Sequence, residues 1–587
     1  MEQNTDRVGF DLETLSADRI FTADKGTFTK LVGFGNVVWE AGPTGESTIK
    51  GALQAAPLVG CNNFFFDSLA LDRHHGIPVE DTIIGGRDLR VAAFQNDPPT
   101  SYQTKIGGGF KSYSLDALGE RYLGVPKSTA GKELAKDFGG WDHIPADDPR
   151  YVQYCRDDVV LTEALDKAIP WDPYEEREAR VCAITARATL SGFRVDLPGL
   201  QKRSQELADQ SAAGRSMLSD QYGFPTLDAK GQPAKAPQRS KLGKAAFETA
   251  LEASGFPVHL WPRGKDGSLS LSKETMAFAL DHAERKVPAA SDVIRAVSEM
   301  NGVRNNAANV LRCVVGDRVH PAFLPFQGAG RWSVLEPGLT VLKKGVADSE
   351  REFLLPDDDD DHLLVSIDLD QIDIRCVAAH SQDHNLIDIL NDPSRDIHSE
   401  VSVMAFGSAE GKNRHHAKSL DLGWLYGRTV GGLAKTPGMD FQTAQKVDQS
   451  MRRQFGTVME WQRHVRELGE AGVLLDNGFG RNLRVDPERA FTQAPGFVGQ
   501  STTRDLIAEG LLDLAKRAPD VIPMLRVIVH DEIVASVPRQ HADEIARLLQ
   551  SCLSRQWAPA GKSRPVSITA GQGKPFTFGK TWGELYR

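Results

Sequence analysis

Two short apolar runs, each ending in acidic residues, stand out in the pattern of hydrophobic and polar positions. Residues 363–367, LLVSI, predict a buried central strand, and Asp368 follows directly. Residues 526–537, RVIVHDEIVASV, predict a buried hairpin whose tip carries Asp531 and Glu532. A rigid strand that ends in carboxylates is a usual support for a metal site, although Asp is also common in solvated turns.

A third segment, residues 414–427 (RHHAKSLDLGWLYG), has the length of a helix. Arg414, Lys418, Leu422 and Tyr426 are spaced four apart and therefore line one side of that helix. Two cations followed by an aromatic ring suit a triphosphate that lies along the helix, with a base or sugar near its end. A half-buried surface helix would show the same spacing.

The first 170 residues contain three more segments in which polar residues interrupt an apolar pattern. Strand alternation places the first two acids on the same face, and the last tyrosine and aspartate lie one helical turn apart. The segments are VGFDLET with Asp11 and Glu13, LVGCNNFFFDSLAL with Asn62 and Asp67, and YVQYCRDDVVLTEAL with Tyr154 and Asp158. Each alone is also typical of a strand end, a helix start or an amphipathic helix.

A chain of 587 residues predicts several domains. The six cysteines show no C-x-x-C spacing, which argues against zinc and a disulfide framework and for a reducing compartment. The N-terminus is charged without an apolar signal-like stretch, and no apolar run is long enough to span a membrane. We therefore expect a cytoplasmic protein without a membrane partner.

The formal net charge of −10 is unusual for a protein that binds nucleic acid. The distribution of charge explains part of it. The five aspartates of residues 357–361 predict a solvated loop, and carboxylates at metal sites are offset by bound cations. Residues 230–244 contain five basic residues and no acid. The net charge therefore does not exclude DNA as a partner.

The three C-terminal segments together resemble family A DNA polymerases, the group of bacterial polymerase I and bacteriophage enzymes. Residues 368–375 match the palm motif D-Y-S-Q-I-E-L-R, residues 414–427 match R-x-x-x-K followed by F-G-x-x-Y-G, and residues 529–532 match V-H-D-E. Residues 330–333 resemble G-R-x-S, and residues 396–398 resemble D-x-H. The order and separations also fit, and the resemblance extends over nearly the whole chain.

The three N-terminal segments resemble the proofreading exonucleases of the RNase H-like superfamily. The resemblance implies a multidomain α/β and α+β fold, with an RNase H-like exonuclease domain followed by a right-hand polymerase domain. The implied boundaries are 1–170 for the exonuclease, 171–330 for the thumb region, 331–384 for the first part of the palm, 385–485 for the fingers and 486–587 for the second part of the palm. A 5′-nuclease domain has no room here.

The resemblance also implies the roles of particular residues. We expect two Mg²⁺ ions per active site, with Mn²⁺ as an alternative. The polymerase ligands would be Asp368, Asp531 and the Leu369 carbonyl, and the exonuclease ligands Asp11, Glu13, Asp67 and Asp158, with Tyr154 orienting water. Nucleotide contacts would come from His398, Arg414, Lys418, Leu422, Tyr426 and Asp373, and DNA contacts from Arg331, Gln500, His530 and Asn62. Lys418 would act as a proton donor, and Glu532 would bind metal or support the site.

The sequence departs from the family at the expected sugar pocket. Family A enzymes usually have Glu where Asp373 stands, and that side chain blocks a ribose 2′-hydroxyl. Asp is one methylene shorter, so this wall should lie about 1.5 Å further back. The family also has Phe or Tyr where Leu422 stands, and leucine has no hydroxyl to replace a missing 3′-oxygen. In addition, residues 337–340 lack the two amides of the family's P-N-L-Q.

We expect primer-template DNA and deoxynucleoside triphosphates as partners of a monomer that replicates a phage genome. The basic residues of the loop 224–240 suit phosphate contacts as well as simple solvation, and the loop is too short to imply a processivity partner. The alternatives are a bacterial repair polymerase, a single-subunit RNA polymerase, a degradative nuclease and a replication scaffold. The sequence does not identify a helicase or processivity factor.

Overall fold

Carbon-α contacts divide the protein, known here from a computed structural model, into two units. The first consists of Met1–Arg194, Arg318–Ala347 and Leu354–Arg587, and the second of Val195–Asp317 and Asp348–Phe353. The structure describes residues 7–41, 50–53, 56–100, 112–126, 128–228, 230–264, 267–346, 349–436, 439–571 and 575–587. Among these residues, none of the helices combines the length and apolar character needed to cross a bilayer.

The N-terminal part of the first unit is built on a five-stranded sheet with the order β3-β2-β1-β4-β5, in which β1 pairs antiparallel with β2 and parallel with β4. Its strands are β1 (Val8–Thr14), β2 (Thr29–Phe34), β3 (Val37–Glu40), β4 (Leu58–Gly60) and β5 (Arg87–Asp88). Its helices are α1 (Asp67–His75), α2 (Val79–Ile83), α3 (Leu89–Asn96), α4 (Leu115–Leu123), α5 (Ala130–Asp137), α6 (Pro149–Ala168) and α7 (Pro173–Ser191). The predicted first strand and the predicted helix within residues 151–165 are confirmed.

Helix α6 packs directly on this sheet because two glycines leave room for it. A Cβ atom at Gly33 would lie 2.6 Å from Cγ2 of Val159 and 3.0 Å from Sγ of Cys155. A Cβ atom at Gly9 would lie 2.5 Å from Cγ of Glu163. Such distances are shorter than any real carbon contact, so larger residues on β1 and β2 would move the helix away from the strand that carries Asp11.

The second unit is helical, and its core contains Leu218, Phe247, Trp261 and Ile294. Its helices are α8 (Leu197–Tyr222), α9 (Lys241–Ala253), α10 (Lys273–Lys286), α11 (Pro288–Gly302) and α12 (Asn306–Leu311). The loop 224–240 begins with a buried residue: Phe224 is only 2% exposed and packs into the core, since an aromatic ring stabilises more when buried.

The acidic strand predicted from residues 363–368 is central in a four-stranded antiparallel sheet with the order β15-β16-β12-β19. Asp368 pairs with Glu532 across β12 and β16. The remaining strands are β6 (Phe193–Val195), β7 (Val314–Val315), β8 (Arg318–Val319), β9 (Ala322–Leu324), β10 (Ser333–Leu335), β11 (Leu354–Leu355), β12 (His362–Asp368), β13 (Leu475–Asp476), β14 (Asn482–Leu483), β15 (Leu525–Val529), β16 (Glu532–Pro538), β17 (Arg555–Trp557), β18 (Val566–Ile568) and β19 (Phe578–Gly579).

A cluster of helices between β12 and β13 shares one apolar core that includes Ile387, Val401, Trp424 and Val458. The helices of this region and of the C-terminal part are α13 (Ile372–Ser381), α14 (His384–Asn391), α15 (Ile397–Phe406), α16 (Asn413–Leu425), α17 (Val430–Leu433), α18 (Phe441–Gln454), α19 (Gly456–Glu470), α20 (Ala490–Arg517) and α21 (Ala542–Leu553). The helix predicted from residue 414 is confirmed, but it ends at Leu425, so Tyr426 follows it as the C-cap.

The run of five aspartates differs in part from the solvated loop that the sequence predicts. Residues 358–361 are exposed. Asp357 is only partly exposed and forms ion pairs with Arg318 and Arg526. The partly buried guanidinium groups require a counter-charge, and the first aspartate of the run supplies it.

Candidate active sites

The carboxylates of Asp368 and Asp531 meet at the end of the central sheet. Asp368 is the last residue of β12, and Asp531 lies in the tight turn between β15 and β16. The N–H of Leu369 donates a hydrogen bond of 3.0 Å to the backbone oxygen of Asp531, which ties the two chain segments together. His530 takes a positive φ of 56° in this turn and is exposed.

The two aspartates repel each other electrostatically. Burial, and then the charge of Asp531, raise the pKa of Asp368 to about 7. Burial, and then the charge of Asp373, raise the pKa of Asp531. Oδ1 of Asp368 is buried and accepts no hydrogen bond from the described residues. Two carboxylates that repel one another, one of them with a buried oxygen that no described residue bonds, fit a hard divalent cation such as Mg²⁺.

Glu532 is engaged differently from the two aspartates. It is 3% exposed, and its carboxylate accepts hydrogen bonds from Ser366 (2.5 Å) and from the hydroxyl of Tyr586. Lys344 donates to Glu532 and to Asp368, with Nζ 3.4 Å from an oxygen of each. Both oxygens of Glu532 therefore have donors inside the protein, which favours a supporting position over direct contact with a metal ion.

The cationic side of α16 faces the same cavity, which has a volume of about 920 Å³. Arg414 is paired with Asp396, with Nε and Nη2 2.8 and 3.1 Å from its two oxygens. Burial alone would raise the pKa of Asp396, but the hydrogen bonds from Arg414 and Ser399 lower it to about 2. Lys418 is exposed in the cavity. Of the two cations, Lys418 is thus the one without a carboxylate partner among the described residues.

The expected sugar pocket combines Asp373 with Tyr426 and Leu422. The hydroxyl of Thr503 lies 3.5 Å from Oδ1 of Asp373, and Nη2 of Arg331 lies 3.9 Å from the same oxygen. Burial, and then the charge of Asp373, raise the pKa of Tyr426. Asp373 is therefore surrounded by donors on the protein side, and the ring of Tyr426 lies beside it.

The structure brings most of the predicted polymerase residues into one place. Those that line the cavity are Asp368, Leu369, Asp373, His398, Arg414, Lys418, Leu422 and Asp531. Tyr426 is not among the lining residues. Its hydroxyl lies against Gly499 of α20, where a Cβ atom would be only 3.0 Å away. Gln500 follows that glycine and lies within α20.

The four predicted exonuclease carboxylates surround a cysteine thiol on α6. Burial raises the pKa of Cys155, and the charges of Asp11, Glu13, Asp158 and Asp67 raise it further. One ligand atom from each of Asp11, Glu13 and Cys155 lies within 4.8 Å of the others. The raised pKa keeps the thiol neutral, so the carboxylates are the candidate metal ligands and the thiol fills space between them.

The remaining exonuclease residues lie close to this cluster. Burial, and then the charge of Asp88, raise the pKa of Asp67 to about 7. The ring of Tyr154 packs on Gly131, where a Cβ atom would be 2.7 Å from Cζ of the ring. Asn62 takes a positive φ of 78°, and its side-chain oxygen accepts a hydrogen bond from Arg90.

Sequence reasoning missed several residues that contact the predicted ones. Ser366 precedes Asp368 by two positions, so strand alternation could have placed it on the same face. No local sequence pattern marks Lys344 or Tyr586, because both contact the carboxylates from segments that are distant in sequence. Cys155 could not be placed either, because the sequence does not show which strand packs against α6. Asp421 lies within a predicted motif, but its contact with His398 depends on the packing of α15 against α16.

Comparison with known proteins also relates this chain to DNA polymerases of family A. A family model described as DNA polymerase family A matches residues 257–578. The DNA polymerase of Mycobacterium phage D29 is 25% identical, covering 92% of this chain and 86% of that protein. The DNA polymerase of Mycobacterium phage L5 is 22% identical and covers 95% and 90%. The thermostable DNA polymerase I of Thermus aquaticus is 24% identical, and the match covers 78% of this chain but only 55% of that relative.

The fold is similar to that of a solved polymerase structure. The POL domain of Pol1 from M. smegmatis, in complex with DNA primer-template and dNTP, has a TM-score of 0.75 and 18% sequence identity. The match covers 99% of this chain and 96% of that chain. At this identity the likeness concerns the fold, and the predicted multidomain fold is confirmed.

Proposed function

We propose that this chain, which belongs to DNA polymerase family A and carries out template-directed DNA synthesis, also removes 3′-terminal nucleotides at a second site in its N-terminal part. The observation that carries the synthetic role is the single cavity lined by Asp368, Asp531 and the cationic side of α16. The observation that carries the second role is the convergence of four carboxylates around Cys155.

A role in phage genome replication, in the cytoplasm of a host bacterium, is supported by the coverage of the relatives. The matches to the two mycobacteriophage polymerases extend over 86% and 90% of those proteins, whereas the Thermus aquaticus match covers 55%. These matches also cover 92% and 95% of this chain, which favours the phage arrangement and replication over a repair role.

In the polymerase site, Asp368, Asp531 and the Leu369 carbonyl would hold two divalent cations, Mg²⁺ by preference. Such ions, when bound, lower the pKa of an attacking hydroxyl and neutralise the charge on a leaving pyrophosphate. Glu532 would keep Asp368 and Lys344 in place through its bonds to Ser366 and Tyr586. Family A polymerases use divalent metal ions, and the oxygen donors present here fit that requirement.

The residues of α15 and α16 would bind the incoming nucleotide. Lys418 and Arg414 would neutralise the phosphates, which is the main protein contribution to phosphoryl transfer. Arg414 would exchange its contact with Asp396 for a phosphate, while Lys418 would give a proton to pyrophosphate. Arg331, Gln500 and His530 would contact the primer-template.

In the exonuclease site, Asp11, Glu13, Asp67 and Asp158 would hold the metal ions, and the hydroxyl of Tyr154 would orient the attacking water. Asn62 would contact a frayed primer end. A mispaired end separates from its template more easily and would reach this site more often. The clustered acids lie on β1, α1 and α6, well away in sequence from the polymerase acids.

We assign the compact second unit, with its helices α8 to α12, to the thumb region, within the boundaries 171–330. Residues 1–170 would be the exonuclease domain, residues 331–384 and 486–587 the palm, and residues 385–485 the fingers. Limited proteolysis would test this layout, since domain boundaries fall in exposed linkers.

A single assay tests the whole proposal. A 5′-labelled primer annealed to a longer template is incubated with the protein and Mg²⁺, with and without dNTPs. Extension with dNTPs and shortening without them are expected. Shortening alone would indicate a degradative nuclease, extension with ribonucleotides alone an RNA polymerase, and neither reaction a scaffold.

Changing Lys418 to alanine should lower the maximal rate of single-nucleotide incorporation about a hundredfold, or about 2.7 kcal/mol. The same variant should bind primer-template with an affinity within about twofold of the wild type, because the ammonium group of Lys418 acts on the nucleotide. Rapid-quench incorporation and fluorescence anisotropy measure the two quantities. Lys412→Ala, an exposed cation just before α16, is the matched control. Equal losses in rate and DNA affinity would identify Lys418 as a duplex contact instead.

Two substitutions in the expected sugar pocket should change which nucleotides are incorporated, one by raising dideoxynucleotide use and the other by lowering ribonucleotide use. Leu422→Tyr adds a hydroxyl where a 3′-oxygen is missing and should raise dideoxynucleotide use at least about tenfold. Asp373→Glu extends the wall toward the ribose and should lower ribonucleotide use by a similar factor. Single-nucleotide incorporation gives both ratios relative to dNTP. If neither ratio moved by about tenfold, these side chains would not form the sugar filter.

A further inference from the structure

A buried histidine–aspartate pair joins α15 to α16 beside the polymerase cavity. Nδ1 of His398 lies 2.5 Å from Oδ2 of Asp421, and the two side chains are 4% and 0% exposed. The other oxygen of Asp421 accepts the N–H of Leu422 at 2.6 Å. His398 lines the cavity, whereas Asp421 is not among the lining residues. The carboxylate therefore contacts two residues that line the cavity, through the imidazole ring of His398 and the backbone N–H of Leu422.

The surroundings of the pair favour a charged ring. A carboxylate without solvent exposure is strongly destabilised unless a cation or donors compensate it. Burial raises the pKa of Asp421, and the hydrogen bond and charge of His398 offset only part of that rise. The other charged groups on α15 and α16 include Glu400, paired with Arg395, Arg414, paired with Asp396, and Lys418. Asp448 on α18 is bonded to Trp424 and paired with Arg452.

We propose that Asp421 is a positioning residue that keeps His398 doubly protonated, so that its Nε2–H donates to the phosphate oxygens of the incoming nucleotide. This inference rests on the proposed nucleotide contact of His398. With Nδ1–H committed to a carboxylate, the second ring nitrogen is left for a ligand in the cavity. A neutral ring in the same orientation would present a lone pair at Nε2, which a phosphate oxygen repels.

Asp421→Asn is the informative variant because an asparagine oxygen still accepts the Nδ1–H but no longer stabilises the positive ring. The negative charge that favours the positive ring is then absent, so the contact with the nucleotide phosphates should weaken as the pH rises. The apparent Kd for dNTP is measured in single-turnover incorporation from about pH 6 to about pH 8.5. Each value is divided by the wild-type value at the same pH, which cancels the titration of the triphosphate.

Asp421→Asn should match the wild type within about twofold near pH 6 and bind dNTP about tenfold more weakly above about pH 8. His398→Gln should bind about tenfold more weakly at every pH. The double variant should equal His398→Gln, because the proposed effect of Asp421 on the phosphate contact passes through the ring. Asp448→Asn, a change at another buried carboxylate, on α18, is the matched control, and its Kd for dNTP relative to the wild type should not change with pH.

A pH-independent loss in Asp421→Asn, or additive losses in the double variant, would make Asp421 a structural support only and overturn the inference. If His398→Gln itself left the Kd for dNTP unchanged, the nucleotide contact of His398 would be wrong, and this inference with it. Primer-template affinity within about twofold of the wild type verifies that each variant is folded.

Discussion

Replacing Asp368 or Asp531 with asparagine should abolish primer extension, with a loss of at least about a thousandfold, or about 4 kcal/mol. Each change removes one negative charge from the pair of carboxylates that meet at the end of the central sheet. An amide keeps the shape of the side chain, so the strand register between β12 and β16 should persist. The loss would therefore report the charge that divalent cations require.

The matched control is Asp392→Asn, which makes the same chemical change at an acid that also lines the cavity. Asp392 is bonded to Ser394 at 2.9 and 2.6 Å and stands apart from the two repelling aspartates. It should retain extension within about threefold. In all three variants, shortening of the primer without dNTPs should continue at the wild-type rate. Loss of both activities in a variant with a native circular dichroism spectrum would contradict the two-site model.

Combined replacement of Asp11 and Glu13 with alanine should have the opposite result. Shortening of a primer should fall at least about a thousandfold, while extension stays near the wild-type rate. The physical reason is that these carboxylates lie on adjacent same-face positions of β1 and share the site with Asp158 and Asp67. Without them, two acids from helices remain, which is too few ligands for a pair of cations.

The matched control for this variant is Asp157→Ala on α6. Asp157 is next to Asp158 in sequence but is exposed and accepts a hydrogen bond from Gln153 at 2.7 Å. It should retain shortening within about twofold. A mispaired primer end provides the most sensitive substrate. If shortening continued after loss of Asp11 and Glu13, the four-carboxylate cluster would not be the nuclease site.

Much of the molecule was predictable because its signals are local. The apolar run before Asp368, the alternation around Asp11 and Glu13, and the helix from residue 414 all depend on residues adjacent in the chain, and each element forms as expected. Backbone hydrogen bonding and the burial of one face determine such elements, and both leave a periodic pattern in the sequence.

The contacts that other residues make with the predicted carboxylates were not predictable from local sequence patterns. Lys344 reaches Asp368 and Glu532 from a segment some twenty residues before the strand, and Tyr586 bonds Glu532 from the last turn of the chain. Gly33 admits α6 so closely that Cys155 lies among the exonuclease acids. These positions carry no periodic signal of their own.

The sequence by itself thus determined the elements, their order and the acids and cations that they carry, since these follow from local periodicity and spacing. Only the tertiary structure decided which polar groups neutralise one another: Glu532 with Tyr586 and Lys344, Arg414 with Asp396, and His398 with Asp421. The physical reason is that a pair's electrostatic energy depends on its distance and burial, and neither is set until helices and strands pack.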